Sequence, residues 1–301
     1  MPFSHHSHSG QFCGHAKGTL EEMVQTAIGR KMKVFALTEH MPRHVEDFYP
    51  EEIEAHPDAE SLARVTDLFY AEATRLRSKY QGQIVLPIGF ETEWIRPQTL
   101  QLVRDLQSKY EFDMFVGSVH HVHTIPIDFD KTMYEDARAK SGGSDEQLFE
   151  DYFDAQYEML RELKPPVVGH FDLIRLYSKD PNGSFQRWDG VWSRITRNLQ
   201  FVADYQGLLE LNSSALRKGM TEPYPKVEIC KTFLTMGGRF VLSDDCHAAE
   251  QVGLNYNRVF ESIEHAGITE LYYCQPGDRT VEANSAVQYV PVIVSTIQGW
   301  S

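Results

Sequence analysis

Residues 207–243 run Gly207-Leu208-Leu209-Glu210-Leu211-Asn212, then a helical stretch from Pro225 to Met236, then Arg239-Phe240-Val241-Leu242-Ser243. Both flanking runs are short and mostly apolar, and a helix lies between them. Parallel strands need such a crossover, because a tight turn cannot reverse the chain twice. An apolar run without strict alternation also implies burial on both faces. This unit is therefore read as strand, helix and parallel strand.

The same alternation extends in both directions. Upstream, strands are expected at Pro2–His6, Lys33–Thr38, Gln83–Phe90, Asp113–Val119 and Pro166–Phe171. Between them lie helical patterns at Thr19–Lys31, Ala59–Tyr80, Pro97–Tyr110, Ser144–Leu163 and Trp188–Tyr205. Thr19 with Glu22, and Ser144 with Gln147, have the spacing of capping boxes. Downstream come a helix from about Leu254 to Ala266 and a strand at Glu270–Cys274; Gln275–Ser301 gives no clear signal. An open doubly wound sheet fits this order. Regular repetition favours a closed α/β barrel, whose functional groups gather at the C-terminal ends of the strands. The 301 residues suit a single barrel domain. Met41–Asp58 and Val122–Gly143 are unusually long connections that follow strands, so they are read as lids or walls over that end.

Lys+Arg 29 against Asp+Glu 43 gives a net charge of −14. That surface argues against nonspecific nucleic-acid or anionic-membrane binding. It leaves an anionic metabolite open, since bound cations can dominate a pocket's field. Cys13, Cys230, Cys246 and Cys274 form no CxxC pair, and the first residues lack a signal-peptide pattern. Both point to a reduced, cytoplasmic protein.

The histidines and acids fall in register with the strands. His6 and His8 end the first, and His15 follows in the loop. Glu39 and His40 end the second, Glu91 the third, His120 the fourth, His170 the fifth, and Asp245 with His247 the last of the series. Positions i and i+2 of a strand share a side, so His6 and His8 face together while His5 faces away. Asp245 and His247 repeat the pattern, which favours Asp245 over Asp244. His121 and His123 are expected to be peripheral. Nine candidate ligands exceed one tetrahedral ion. Imidazole and carboxylate donors suit two or three ions of Zn, Fe or Mn.

Seven motifs then carry a resemblance. They are His6-Ser7-His8, Cys13-Gly14-His15, Thr38-Glu39-His40, Gly89-Phe90-Glu91, Gly117-Ser118-Val119-His120, Gly169-His170-Phe171-Asp172-Leu173-Ile174-Arg175 and Ser243-Asp244-Asp245-Cys246-His247. Together they resemble the polymerase-and-histidinol-phosphatase (PHP) superfamily. The 169–175 string and Glu210-Leu211-Asn212-Ser213-Ser214-Ala215-Leu216-Arg217-Lys218 resemble its histidinol-phosphatase branch. The resemblance implies a distorted (β/α)7 TIM-like barrel and a trinuclear metal centre. One ion would take His6, His8, Glu91 and Asp245. Glu91 would bridge to a second with His120 and His170. His15, His40 and His247 would hold a third. Glu91, His120, Asp245 and His247 form the expected catalytic set, and Arg175, Arg217 and Lys218 the expected phosphate-binding set. Glu39, Glu93 and Asp172 would orient imidazoles. The implied reaction is hydrolysis of L-histidinol phosphate to L-histidinol and phosphate in histidine biosynthesis, with a metal-activated hydroxide attacking phosphorus.

Three alternatives stand beside this reading. The same fold could act on another phosphomonoester or a nucleic-acid end. A noncatalytic metal or phosphometabolite-binding module would require the open metal positions to be blocked. Asp128-Phe129-Asp130-Lys131-Thr132 matches the DxDxT nucleophile motif of haloacid-dehalogenase phosphatases. That motif sits in a long polar connection and leaves the histidines unexplained.

Overall fold

The computed structural model describes residues 2–56, 58–276 and 288–297. Its strands are β1 (Phe3–Ser4), β2 (Val34–Phe35), β3 (Val116–Gly117), β4 (His121–Val122), β5 (Ile125–Pro126), β6 (Val167–Val168), β7 (Leu208–Asn212), β8 (Arg239–Ser243), β9 (Glu270–Gln275) and β10 (Gln288–Ile293). Its helices are α1 (Leu20–Gly29), α2 (Pro50–Ala55), α3 (Ala59–Lys79), α4 (Thr99–Lys109), α5 (Lys131–Lys140), α6 (Asp145–Leu163), α7 (Asp189–Asp204), α8 (Ser214–Arg217), α9 (Val227–Thr235) and α10 (Tyr256–Ala266).

Local chemistry sets the helix ends. Thr19 and Glu22 close a capping box on α1. Ser144 caps α6 through the Gln147 N–H, but the Gln147 side chain does not return to the cap backbone. Its Oε1 instead accepts the Ser144 hydroxyl at 3.0 Å. α6 packs on α7, α7 on α9 and α9 on α10. Their apolar stripes bury Phe153, Leu199, Phe233 and Ile263 in one core with the strands.

The largest sheet has six strands in the order β10-β9-β8-β7-β6-β3. Its pairs are parallel except β9 with β10. β1 and β2 form a separate parallel pair. No continuous closed ladder runs through the described residues. Single parallel bridges join the pieces: Ser7 to Cys246, Val34 to Val85, Leu37 to Ile88, His40 to Glu91 and Glu91 to Val116.

Several strands are shorter than expected. Within 83–90, Gln83 still lies in a turn and only Val85 and Ile88 form isolated bridges. Pro87 removes one donor from this segment, and its bonds to the second strand come at alternate residues: Val85 N–H to Lys33 O and Gly89 N–H to Leu37 O. Gly89 is needed there. A Cβ at that position would stand 2.5 Å from Met114 O, so the neighbouring backbone leaves no room for one.

The two long connections carry structure of their own. Residues 41–58 contain α2. Residues 122–143 contain β5 and α5, and β5 pairs back on β4. The turn between β4 and β5 places His123 (φ 53°) and Thr124 (φ 66°) in the left-handed region. That is the two-residue hairpin geometry that Asn-Gly usually announces, which is why the sequence hid it. The silent C-terminal stretch supplies β10; residues 277–287 and 298–301 lie outside the described residues. No described helix is long and apolar enough to cross a membrane.

Candidate metal centre

Glu91 lies at the middle of the site and is 1% exposed. Its Oε2 faces His6 Nε2 at 3.1 Å, His8 Nε2 at 3.4 Å and His40 Nδ1 at 3.0 Å. Its Oε1 faces His170 Nε2 at 2.9 Å and His120 Nε2 at 3.3 Å. The two oxygens thus look into two groups of imidazoles. Asp245 closes one of them, with Oδ1 at 3.6 Å from His8 Nε2 and 3.8 Å from His6 Nε2.

Ligand atoms approach within 4.8 Å of one another in overlapping sets. These include His6, His8 and Glu91; His8, Asp245 and His247; Glu91, His120 and His170; and Cys13, His15, His40 and His247. All nine expected ligands are therefore brought to one region. Cys13, expected as a plain free thiol, joins them beside His15, His40 and His247.

The donor atoms fit cations. Seven buried nitrogens on His6, His8, His40, His120 and His170 have no hydrogen-bond partner. Several of them still lie 3.0–3.4 Å from a carboxylate oxygen, outside hydrogen-bond geometry. An orphaned buried group costs about 1–3 kcal/mol. Seven of them would rival the whole net stability of a domain, about 5–15 kcal/mol. Shared cations would remove that cost for one nitrogen of each ring, while Nδ1 of His8 and of His120 faces Glu39 and Glu93.

Outer groups hold the rings. The His6 Nδ1–H donates to Glu210 Oε1 at 2.8 Å, which leaves Nε2 free. Glu210 also accepts the His170 N–H at 2.7 Å and the Asn212 side-chain amide at 2.9 Å. The sequence reading missed this role, although Glu210 stood in a quoted motif; a charged residue inside an apolar strand was the available signal. Glu39 Oε2 is 3.5 Å from His8 Nδ1, and Glu93 Oε2 is 3.2 Å from His120 Nδ1. The His247 Nδ1–H donates to Asp245 O at 3.0 Å.

Charge follows the same layout. Burial alone would lower the pKa of His6, but Glu91, Glu210 and Asp245 outweigh it and raise it well above the usual imidazole range. Burial would raise Glu91, yet His6, His120 and His40 hold it well below the usual carboxylate range. His5, one residue away, is lowered by burial to about 4. Its Nδ1–H donates to Leu242 O, and its Nε2 accepts the Cys274 N–H, so it ties β8 to β9. Asp244 also faces away. It accepts from Ser4 Oγ, the Cys246 N–H and the Gly253 N–H, and burial pushes its carboxyl up to about 6. Asp245 reaches the cluster from a left-handed backbone, φ 47°, an unusual conformation for a residue with a side chain.

A cavity of about 390 Å³ opens over these groups. Both long connections help wall it, through Tyr49 from one and Asp128 with Phe129 from the other. Arg217 and Lys218 line it as well. Arg175 does not. It is 1% exposed, and four of its five N–H groups are bonded: Nε to Asp172, Nη1 to Pro181 O, and Nη2 to Glu222 O and Pro223 O. Its expected place on the phosphate is corrected on that ground. Asp172 likewise contacts Arg175 and the Lys226 N–H rather than an imidazole. His121 is buried beside Glu93, and His123 pairs with Asp151 near the surface. Asp130 of the DxDxT string caps α5, so Asp128 is the aspartate of the string that lines the cavity.

Comparison with known proteins agrees with this picture. The PHP domain model matches residues 4–214. A Schizosaccharomyces pombe protein named "Probable histidinol-phosphatase" is 44% identical over 295 residues, 96% of each chain. The histidinol-phosphatase of Saccharomyces cerevisiae is 33% identical, covering 86% of this chain and 87% of its own. The structure of histidinol phosphate phosphatase from Lactococcus lactis, complexed with Zn, L-histidinol and phosphate, superposes with a TM-score of 0.67 at 18% identity. That match covers 90% of this chain and 95% of the other. On the extent of the domain match and the end-to-end similarity to curated relatives, the chain belongs to the PHP-domain family, in its histidinol-phosphatase branch.

Proposed function

We propose that this chain hydrolyses L-histidinol phosphate to L-histidinol and phosphate, with two or three divalent ions at the rim formed by the strand ends. The observation that carries the reading is Glu91, whose two oxygens each meet a different group of buried imidazoles within one cavity. One ion is assigned to His6, His8, Glu91 and Asp245, a second to Glu91, His120 and His170, and a third to His15, His40 and His247. Zn, Fe and Mn all suit these donors. When bound, such ions lower the pKa of water and neutralise phosphoryl oxygens.

The chain's own groups divide the substrate between them. Arg217 and Lys218 supply fixed positive charge at the cavity wall for the phosphate. The Arg217 guanidinium is steadied by donating to Asp245 O at 2.9 Å. Asp128 is assigned to the substrate ammonium, because its Oδ1 is buried in the cavity wall without a hydrogen-bond partner. Tyr49 and Phe129, stacked with ring centroids 5.6 Å apart, offer the imidazole an aromatic wall. Glu210, Glu39 and Glu93 hold the ligand rings in orientation. Zn, L-histidinol and phosphate together in the Lactococcus relative support the same ligand classes here.

We read the architecture as a distorted seven-stranded barrel in a single domain spanning 1–301. Support comes from the parallel bridges that continue the sheet from β3 through residues 84–91 to β2, and from the Ser7–Cys246 bridge linking the β1 and β8 ends. The His8 N–H to Cys246 O bond, 2.8 Å, lies at that junction.

The test is phosphate release from L-histidinol phosphate, with metal content measured before and after chelation. Activity should vanish with the metal and return when it is restored. Full turnover by metal-free protein would remove the proposal. Asp128→Asn should raise KM for histidinol phosphate while leaving hydrolysis of an amine-free phosphomonoester intact. Loss of both activities would point instead to Asp128 as a nucleophile.

A further inference from the structure

One thiol stands among the imidazoles. Cys13, His15, His40 and His247 offer ligand atoms that all lie within 4.8 Å of one another. Cys13 Sγ is 3.2 Å from His15 Nε2. The cysteine is 6% exposed, so it is no surface thiol. Both ring nitrogens of His40 are buried and lack a hydrogen-bond partner. The His15 ring centroid is 5.4 Å from that of His40 and 5.1 Å from that of His247.

Backbone bonds make this a built arrangement. The Cys13 N–H donates to Ser9 O at 2.9 Å, and the Ala16 N–H to Cys13 O at 3.2 Å. The Lys17 N–H donates to His247 O at 2.7 Å, tying the loop to the strand end that carries the fourth donor. The other thiols differ. Cys230 donates to Pro225 O, while Cys246 and Cys274 are fully buried; none joins a ligand group among the described residues.

We propose that Cys13 binds, as a thiolate, the ion held by His15, His40 and His247. This rests on the metal-centre reading above. Binding exchanges the S–H proton for the cation and releases it to the buffer. The resulting donor set of one sulfur and three nitrogens is softer than the neighbouring imidazole–carboxylate sets. It favours Zn²⁺ or Co²⁺ over Mn²⁺ or Mg²⁺. The centre is therefore not three equivalent positions, and this one is the most metal-selective.

The experiment loads metal-stripped wild-type protein with Co²⁺ alone. It records near-ultraviolet absorption for thiolate-to-cobalt charge transfer, together with metal content. Wild type should show the band, Cys13→Ser should lose it, and Cys230→Ser should keep it. In a Zn²⁺/Mn²⁺ mixture, Cys13→Ser should lose about one zinc per chain relative to wild type. Wild-type protein that takes up cobalt without the band overturns the proposal, and this needs no variant to fold. A band surviving in Cys13→Ser overturns it as well. Failure of wild type to bind cobalt or zinc at all would overturn the metal-centre reading itself.

Discussion

Two clusters of buried charge, around Arg175 and around Glu91, are finished in opposite ways. Around Arg175 nearly all the donors are used. Asp172, Pro181, Glu222 and Pro223 take its N–H groups, and the guanidinium lies 4.9 Å from the Tyr224 ring centroid. Lys226 Nζ closes the edge on Asn182 O at 2.6 Å and Glu222 at 2.9 Å. Among the described residues of this cluster, Asp172 Oδ1 and the Tyr224 hydroxyl are left over. Around Glu91, seven imidazole nitrogens are left over. Both clusters combine acids with bases, and both are buried. What separates a brace from a binding site is whether the polar groups satisfy one another.

The strongest challenge to that contrast is Glu91→Ala. It should cost roughly a thousandfold or more in kcat/KM, since Glu91 is the carboxylate proposed to hold the ions together. Metal analysis should show depletion in the same sample. Retained activity and metal would make the rim a brace like the other cluster. Arg175→Ala comes next. Stranding Asp172 without its partner should cost about 3–5 kcal/mol in a denaturant titration, with metal content unchanged in the folded fraction. Normal stability with a raised KM would return Arg175 to the substrate.

Glu210→Gln sharpens the comparison at the boundary of the centre. It keeps the shape but weakens the hold on His6 Nδ1, so metal affinity should fall about 10–100-fold in a chelator competition. No change would show that His6 is oriented by packing alone. The smallest effect belongs to an exposed network. Lys79, Tyr80 and Arg75 bond Glu21 and lower its pKa to about 2 from 4.5. Its ionised form is therefore favoured in the folded state, so this stabilisation is present above pH 4.5 and lost as pH falls through 2. Glu21→Gln should flatten the acid arm of the stability profile only slightly, because exposed pairs are screened. A steep acid arm unchanged in that variant would assign it to buried carboxylates instead.

The legible parts of the molecule are those set by near neighbours along the chain. Thr19 and Glu22 announced the start of α1, and the apolar runs at 208–212 and 239–243 became β7 and β8. The period of two separates His6 from His5, which face opposite sides, whereas Asp245 turns to the cluster from a left-handed backbone that alternation does not describe. Other features left no such trace. The β4–β5 hairpin lacks the usual turn residues, and β10 depends on an antiparallel partner.

The sequence by itself determined the alternation of strands and helices, the candidate ligands that follow the strands, and the family to which those motifs belong. Only the tertiary structure decided what each buried polar group meets. It turned Arg175 into a brace, set Glu210 behind His6, placed Asp128 in the cavity wall and brought Cys13 to three histidines. The reason is physical. Periodicity fixes which side a residue faces within about one turn or one strand. Burial and hydrogen-bond saturation depend on partners tens to hundreds of residues away, as in the 204-residue separation of His6 and Glu210.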